Sequence, residues 1–259
     1  MPDLPHTSIS INALADFPMI VPNDDLASVL IDSLQHNGMA LQTQDVVVLA
    51  QKIVSKAEGQ LVRLADVKPS ARALEIAQQT GKDSRMVELI LSESREIIAQ
   101  RPGLLIVEHR LGYIMANAGI DQSNIDHPND DEYALLLPEN PDQTCALIKA
   151  ALDRHFNADV GVIINDSFGR PWRMGVTGVA LGSAGLPSLL SLIGKPDLYN
   201  RAMRVSEIAF ADEIAAAASL IMGQTNAGQP AVHVRGLHWD EPDNSAQTLL
   251  RPRNQDLFR

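Results

Sequence analysis

Cysteine is almost missing from this chain: Cys145 is the only one among 259 residues. No intrachain disulfide can form, and no cysteine-rich zinc centre can be built. A reducing, cytoplasmic setting is the expectation. Positive charge is also short. Lys and Arg total 21 against 32 for Asp and Glu, a formal net charge of -11. General nucleic-acid binding needs a basic face that releases counterions, so this composition argues against it. An anionic small molecule stays open, provided a metal ion or a local arginine cluster receives it. The most apolar long stretch, Ile208 to Met222, carries Asp212 and Glu213 and is too short and too charged for a membrane span. The opening MPDLPHTSIS lacks the basic and apolar regions of a secretory signal. Familiar signatures are missing as well. There is no GxxxxGKS/T phosphate loop, no GxGxxG, no HExxH and no GxSxG.

What is present centres on Asp159 to Gly185. An apolar run, Val160 to Ile164, predicts a buried strand. It turns polar at Asn165-Asp166-Ser167, followed by Gly169-Arg170-Pro171-Trp172-Arg173 and the glycines Gly175, Gly178, Gly182 and Gly185. Carboxylate and hydroxyl side by side suit a hard cation such as magnesium or manganese. The arginines suit phosphate or carboxylate. The alternative is an ordinary turn, in which the same residues are common.

The rest of the chain reads as a mixture of helices and strands without regular alternation. Asp24-Asp25 opens a helix with Leu26, Leu30 and Leu34, and an aspartate there caps it. Val46 to Ala50 predicts a central strand running into Lys52, Ser55 and Lys56, either a phosphate-facing end or a solvated one. Helices are expected over 69–79, 84–100 and 143–156, the last with Ala146, Ile148, Leu152 and Phe156 inward and Cys145 buried. Two strands are expected at 104–107 and 111–115, with His109 as a surface or turn residue. Residues 125–132 read as an acidic loop and 201–223 as a long helix ended by glycine. A short strand follows at 231–234, and 240–259 is expected to be a loose polar tail. An α+β fold of mixed sheets with packed helices is the resulting expectation.

Asp121 with Asn124, and Asp166 with Ser167, each follow an expected strand. If those strands are neighbours, the carboxylates could meet at one cation, with Lys52, Lys56, Arg170 and Arg173 receiving phosphates. Four segments in order then carry a resemblance: Ser55-Lys56-Ala57-Glu58-Gly59; Ala116-Asn117-Ala118-Gly119-Ile120-Asp121 with Ser123-Asn124; Asp166 to Arg173; and Met222-Gly223-Gln224 with Pro230-Ala231-Val232 and Arg235-Gly236. Together they resemble the coenzyme F420-0:L-glutamate ligase family. The resemblance spans about Phe17 to Gly236 within a ligase domain of residues 1–239, divisible into two subdomains.

The resemblance implies a GTP-dependent ligase that needs magnesium or manganese and leaves open a need for potassium. It would add L-glutamate through γ-linked amide bonds to the deazaflavin F420-0 by way of an acyl phosphate. It implies an intertwined homodimer. Asp121 and Asp166 would share one divalent cation, and Ser167 and Gln224 would belong to a second metal position. Ser55, Lys56 and Asn124 would contact the nucleotide, as would the loop containing Gly223, Gln224 and Thr225 and the arm Ala15 to Pro18. Arg170 and Arg173 would grip a phosphate or a substrate carboxylate, or one of them would pair with a structural carboxylate. Ser167 stands where the family often has threonine and keeps the hydroxyl. Asn200 stands where glycine is common. Competing readings are a metal-dependent nucleotide phosphohydrolase and a catalytically silent nucleotide-binding dimer.

Overall fold

Apolar spacing fixes most elements of the fold, given by a computed structural model that describes residues 8–128 and 131–258. In chain order the first half holds β1 (Ser10–Ala13), α1 (Leu26–His36), β2 (Val46–Ala50), α2 (Gln51–Ala57), β3 (Leu61–Arg63), α3 (Ala71–Thr80) and α4 (Ser84–Ser92). Next come β4 (Ser94–Arg101), β5 (Leu104–His109), β6 (Ile114–Ala116), β7 (Tyr133–Leu135) and α5 (Pro141–Phe156). The chain closes with β8 (Gly161–Arg170), β9 (Arg173–Ala184), β10 (Leu190–Ser191), β11 (Glu207–Ile208), α6 (Phe210–Met222) and β12 (Ala231–Arg235). The fold is mixed α+β, with several sheets.

The main sheet has five strands in the order β1-β12-β2-β8-β9. Only β2 and β8 run parallel, with Val46 opposite Gly161 and Ala50 opposite Asn165. Their apolar runs are covered on both faces, the condition under which strands lose polar alternation. Val47, Leu49, Val162 and Ile164 pack with α1 and α5 through Leu30, Leu34, Ile148 and Leu152. Val46, Val48 and Ile163 pack on the other face with Ala211, Ala215 and Ala218 of α6. A smaller layer sets α3 and α4 against the antiparallel sheet β4-β5-β6 through Ile76, Val87, Ile90, Leu105 and Val107. Among the described residues no helix is long and apolar enough to cross a membrane.

Several expectations change. The strand expected to end at Ile164 continues to Arg170 and turns through Pro171-Trp172 into β9, so Asp166 and Ser167 sit in a ladder. Residues 94–101 form β4, because pairing with β5 supplies the backbone partners. The helix expected from Arg201 begins at Phe210; before it, Met203 and Ser206 bond back to Lys195 and Leu192 across a loop. His109 is fully buried, its Nε2 lying 3.4 Å from Glu93 Oε2, and Ala146 is exposed. The acidic loop falls partly outside the described residues, since 129 and 130 are not among them.

The tail is docked rather than loose. Asn244 Oδ1 accepts the Leu189 amide at 3.0 Å, and the Ala246 amide donates to Asp142 Oδ1 at 3.0 Å. Farther on, Arg253 reaches Glu96 of β4 at 2.7 Å. The tail thus crosses from the five-stranded sheet to the smaller layer.

Asp45, just before β2, is 2% exposed and faces Arg235 and His233 of β12. Arg235 donates through Nε at 2.8 Å and Nη2 at 2.6 Å, and His233 Nε2 lies 2.9 Å away. Burial alone would raise this carboxyl. The hydrogen bonds from Arg235 and the Gln42 amide, with the His233 ring close by, outweigh it and hold Asp45 well below the usual carboxylate range. A depressed folded pKa stabilises the protein above the unfolded value and loses that contribution as pH falls toward the folded one. Asp45→Asn should therefore cost about 2 kcal/mol at neutral pH. It should also flatten the acid limb of stability below about pH 4, as read by urea midpoints against pH.

Candidate active site

Strands that run parallel place their carboxyl ends at the same edge, and the crevice beyond that edge is where open α/β arrangements bind ligands. Here the ends of β2 and β8 lie side by side, and the Pro230 carbonyl accepts the Ala50 amide at 2.8 Å. Four segments meet at this edge: helix α2, the loop 117–125, the β8 extension and the loop after α6.

The loop is shaped by backbone conformation. Asn117, Ala118 and Gly119 are all left-handed, at φ 54°, 54° and 69°. Asp121 is then fixed by two backbone bonds with Leu135, at 3.1 and 2.8 Å. Its Oδ1 accepts the Ser123 amide at 2.7 Å, and its Oδ2 meets Lys52 Nζ at 2.7 Å. Lys52 also donates to Ser123 Oγ at 2.7 Å. Burial would raise the Asp121 carboxyl, but Lys52 and the Ser123 amide outweigh it and keep it low.

Asp166 has the opposite electrostatics. Burial pushes it up to about 6, and the nearby charge of Asp121 adds to this, while the Ser167 amide and Lys52 pull the other way. Its Oδ1 accepts the Ser167 amide at 2.7 Å. Successive strand residues point to opposite faces. Asp166 feels the charges of Lys52 and Asp121, whereas Ser167 Oγ donates to Gln224 Oε1 at 3.0 Å, on the side of the loop after α6. That alternation is a physical reason for two separate oxygen clusters.

The nucleotide-contact candidates form a second chain of bonds. Lys56 Nζ donates to the Asn124 carbonyl at 2.7 Å, and Asn124 Nδ2 donates to the Thr225 carbonyl at 2.9 Å. Burial, followed by the charge of Lys52, lowers the Lys56 pKa. Gly223 ends α6 at φ 70°, turning the chain toward Gln224. Ser55 is fully buried and accepts from Gln51 Nε2 at 2.6 Å, so its hydroxyl anchors α2 from within. The arm 15–18 leaves β1 at this same edge, where the Leu14 amide meets the Ala231 carbonyl.

Arg170 and Arg173 stand apart. They pair across the tip of the β8–β9 hairpin, are exposed, and make no side-chain hydrogen bond or ion pair among the described residues. With a rise of ~3.4 Å per residue, Arg170 lies roughly 14 Å along the strand from Asp166. One chain alone does not bring them to the oxygen ligands.

The donor set fits a hard divalent cation. No three or more His, Cys, Asp or Glu side chains converge among the described residues. Two carboxylates with hydroxyl and amide oxygens remain. Such a sparse set suits magnesium or manganese, which keep waters and take further ligands from substrate phosphates. Sequence reasoning missed the pairing of Lys52 with Asp121. The signal was available: Lys52 and Lys56 are four apart, so on a helix they share one face.

The comparisons with known proteins agree with each other. The family described as F420-0:Gamma-glutamyl ligase matches residues 15–236. A Methanothermobacter thermautotrophicus protein named Coenzyme F420:L-glutamate ligase is 44% identical over 97% of this chain and 99% of its own length. Proteins of the same name from Methanopyrus kandleri and Methanosarcina mazei are 41% and 38% identical. They cover 92% and 95% of this chain, and 92% and 94% of their own lengths.

Proposed function

The chain belongs to the F420-0:gamma-glutamyl ligase family, and from that premise we propose that it is a GTP- and divalent-metal-dependent ligase. It joins L-glutamate by γ-linked amide bonds to the side chain of coenzyme F420-0, in coenzyme F420 biosynthesis. The observation that carries this reading is the meeting of four polar segments at one sheet edge, where Lys52 contacts Asp121, Asn124 reaches the Thr225 carbonyl and Ser167 donates to Gln224.

A carboxylate is a poor electrophile and must be activated before an amine attacks it. Transfer of the GTP γ-phosphoryl group to the acceptor carboxylate makes an acyl phosphate and GDP. The glutamate amine, having lost its proton, attacks the acyl carbon, and phosphate leaves as the amide forms. Asp121 and Asp166 would hold one cation, and Ser167 with Gln224 a second. When bound, these ions supply charge neutralisation at the phosphoryl oxygens. Lys56, Asn124 and the loop Gly223-Gln224-Thr225 would position the nucleotide, with Ser55 bracing the helix that carries Lys56.

The exposed arginines and their apolar neighbours fit a second copy of the chain. At the hairpin tip Trp172 is 81% exposed and Met174 96%, and on the separate loop between β10 and β11 Leu198 and Val205 are also bare. Apolar surface of this kind at a hairpin tip suits an intertwined homodimer. Arg170 and Arg173 would then grip an anionic substrate in the assembled enzyme. The single buried cysteine suits a reducing cytoplasm.

The test is incubation with GTP, manganese, F420-0 and L-glutamate, with and without potassium. The expected product gains the mass of one or more glutamyl units. GTP loss without that gain would favour a phosphohydrolase, and neither change would favour a silent nucleotide-binding dimer. In the same assay Ser167→Ala should lose roughly 10- to 100-fold in activity, whereas Ser167→Thr, which keeps the hydroxyl, should stay near wild type.

A further inference from the structure

Both oxygens of Asp121 are already engaged. Oδ1 accepts the Ser123 amide, and Oδ2 contacts the Lys52 ammonium. Ser123 Oγ accepts a second proton from the same ammonium, so Lys52 is clamped by two partners at 2.7 Å each. A divalent cation on Oδ2 would stand within a few ångströms of that ammonium. In a part-buried crevice the repulsion between them is weakly screened. The two cations therefore compete for this oxygen.

We propose that Lys52 is an internal competitor for the divalent cation at Asp121, and that a polyanion drawing Lys52 away couples cation binding to nucleotide binding. The proposal rests on the reading that Asp121 and Asp166 hold the cation. Lys52 lies one helical turn from Lys56, on a short helix whose side chains reach the same crevice. A phosphate group there would offer the Lys52 ammonium a new partner. Releasing Asp121 Oδ2 exposes a carboxylate oxygen just as the phosphates supply further oxygens for the same ion. The linkage is reciprocal: whatever nucleotide does for cation affinity, cation does for nucleotide affinity.

The experiment titrates Mn2+ into the full-length protein, following free Mn2+ by electron paramagnetic resonance, with and without GDP. In wild type GDP should tighten Mn2+ binding. Lys52→Met should bind Mn2+ alone roughly tenfold more tightly than wild type, with the GDP effect reduced to about twofold or less. Ser123→Ala, which removes one half of the clamp, should fall between them. Unchanged or weaker Mn2+ affinity in Lys52→Met, with the GDP effect intact, would overturn the competition while leaving the cation site standing. No Mn2+ binding by wild type or variant, with or without GDP, would overturn the site itself and the proposal with it. If Lys52→Met melts early, Ser123→Ala carries the test: an affinity equal to wild type overturns the clamp.

Discussion

Asp166→Asn should abolish glutamyl transfer and leave the fold intact. The expected loss in turnover is roughly a thousandfold or more, because the substitution removes the proposed charged oxygen ligand where phosphoryl charge would develop. Stability should hold for a different reason. The carboxyl is raised above its ordinary value, mainly by burial. Above its folded pKa of about 6 the ionised form therefore costs stability, and an amide of the same size removes that cost. The melting temperature at neutral pH should match or slightly exceed wild type. Asp121→Asn should be equally inactive but should gain nothing in stability, since its carboxylate loses the Lys52 contact. Product mass spectra with parallel thermal melts test both. Near wild-type turnover in either variant would end the shared-cation reading.

The second large effect falls on the fold. Gly182 of β9 lies against the first turn of α5, where an added Cβ would stand 2.4 Å from the Pro141 carbonyl carbon. Backbone cannot yield as a side-chain tip can. Gly182→Ala should cost about 3 kcal/mol or prevent folding. Gly178 is similar: its Cβ would meet the Ala215 carbonyl oxygen of α6 at 2.5 Å. Gly169, in the same hairpin, has open space and an ordinary backbone, so Gly169→Ala should be close to neutral. Urea denaturation of the three variants separates packing glycines from incidental ones. Equal stabilities would show that α5 and α6 can move off the sheet.

These glycines mark where the sequence was hard to read. As a run they fitted close packing as readily as the approach of a ligand. In the structure Gly178 and Gly182 are close-packing points on a strand, and only contacts from distant helices reveal that. Asn165-Asp166-Ser167 also looked like a turn, because polar residues after an apolar strand usually are one. The edge partner β9 keeps them extended, a long-range effect that local composition does not carry. Segment 94–101 failed likewise: its helix-compatible residues are held in a strand by β5. Val46 to Ala50 and the capped helix after Asp25 were legible because burial on both faces and capping are local signals. Asp121 and Asp166 were singled out from residue type and order, and Asp121 was matched to a carboxylate role. The Lys52 contact of Asp121 was not legible, because reading 51–57 as a strand end hid the shared face of Lys52 and Lys56.

The order of the main sheet also has a consequence for how the protein is made. Its middle strand, β2, is completed near the beginning of the chain, yet its two neighbours are β8 and β12. On a ribosome, β2 must wait with both edges bare until residue 161 emerges on one side and residue 231 on the other. Pairings this distant in sequence make for slow folding and transient exposure of apolar strand. The proposed ligand oxygens share that fate, since Gln224 precedes β12 by only a few residues. The nascent chain therefore cannot assemble the proposed centre until synthesis is nearly over, and a ribosome stalled before β12 would present a sticky fragment rather than a partial enzyme.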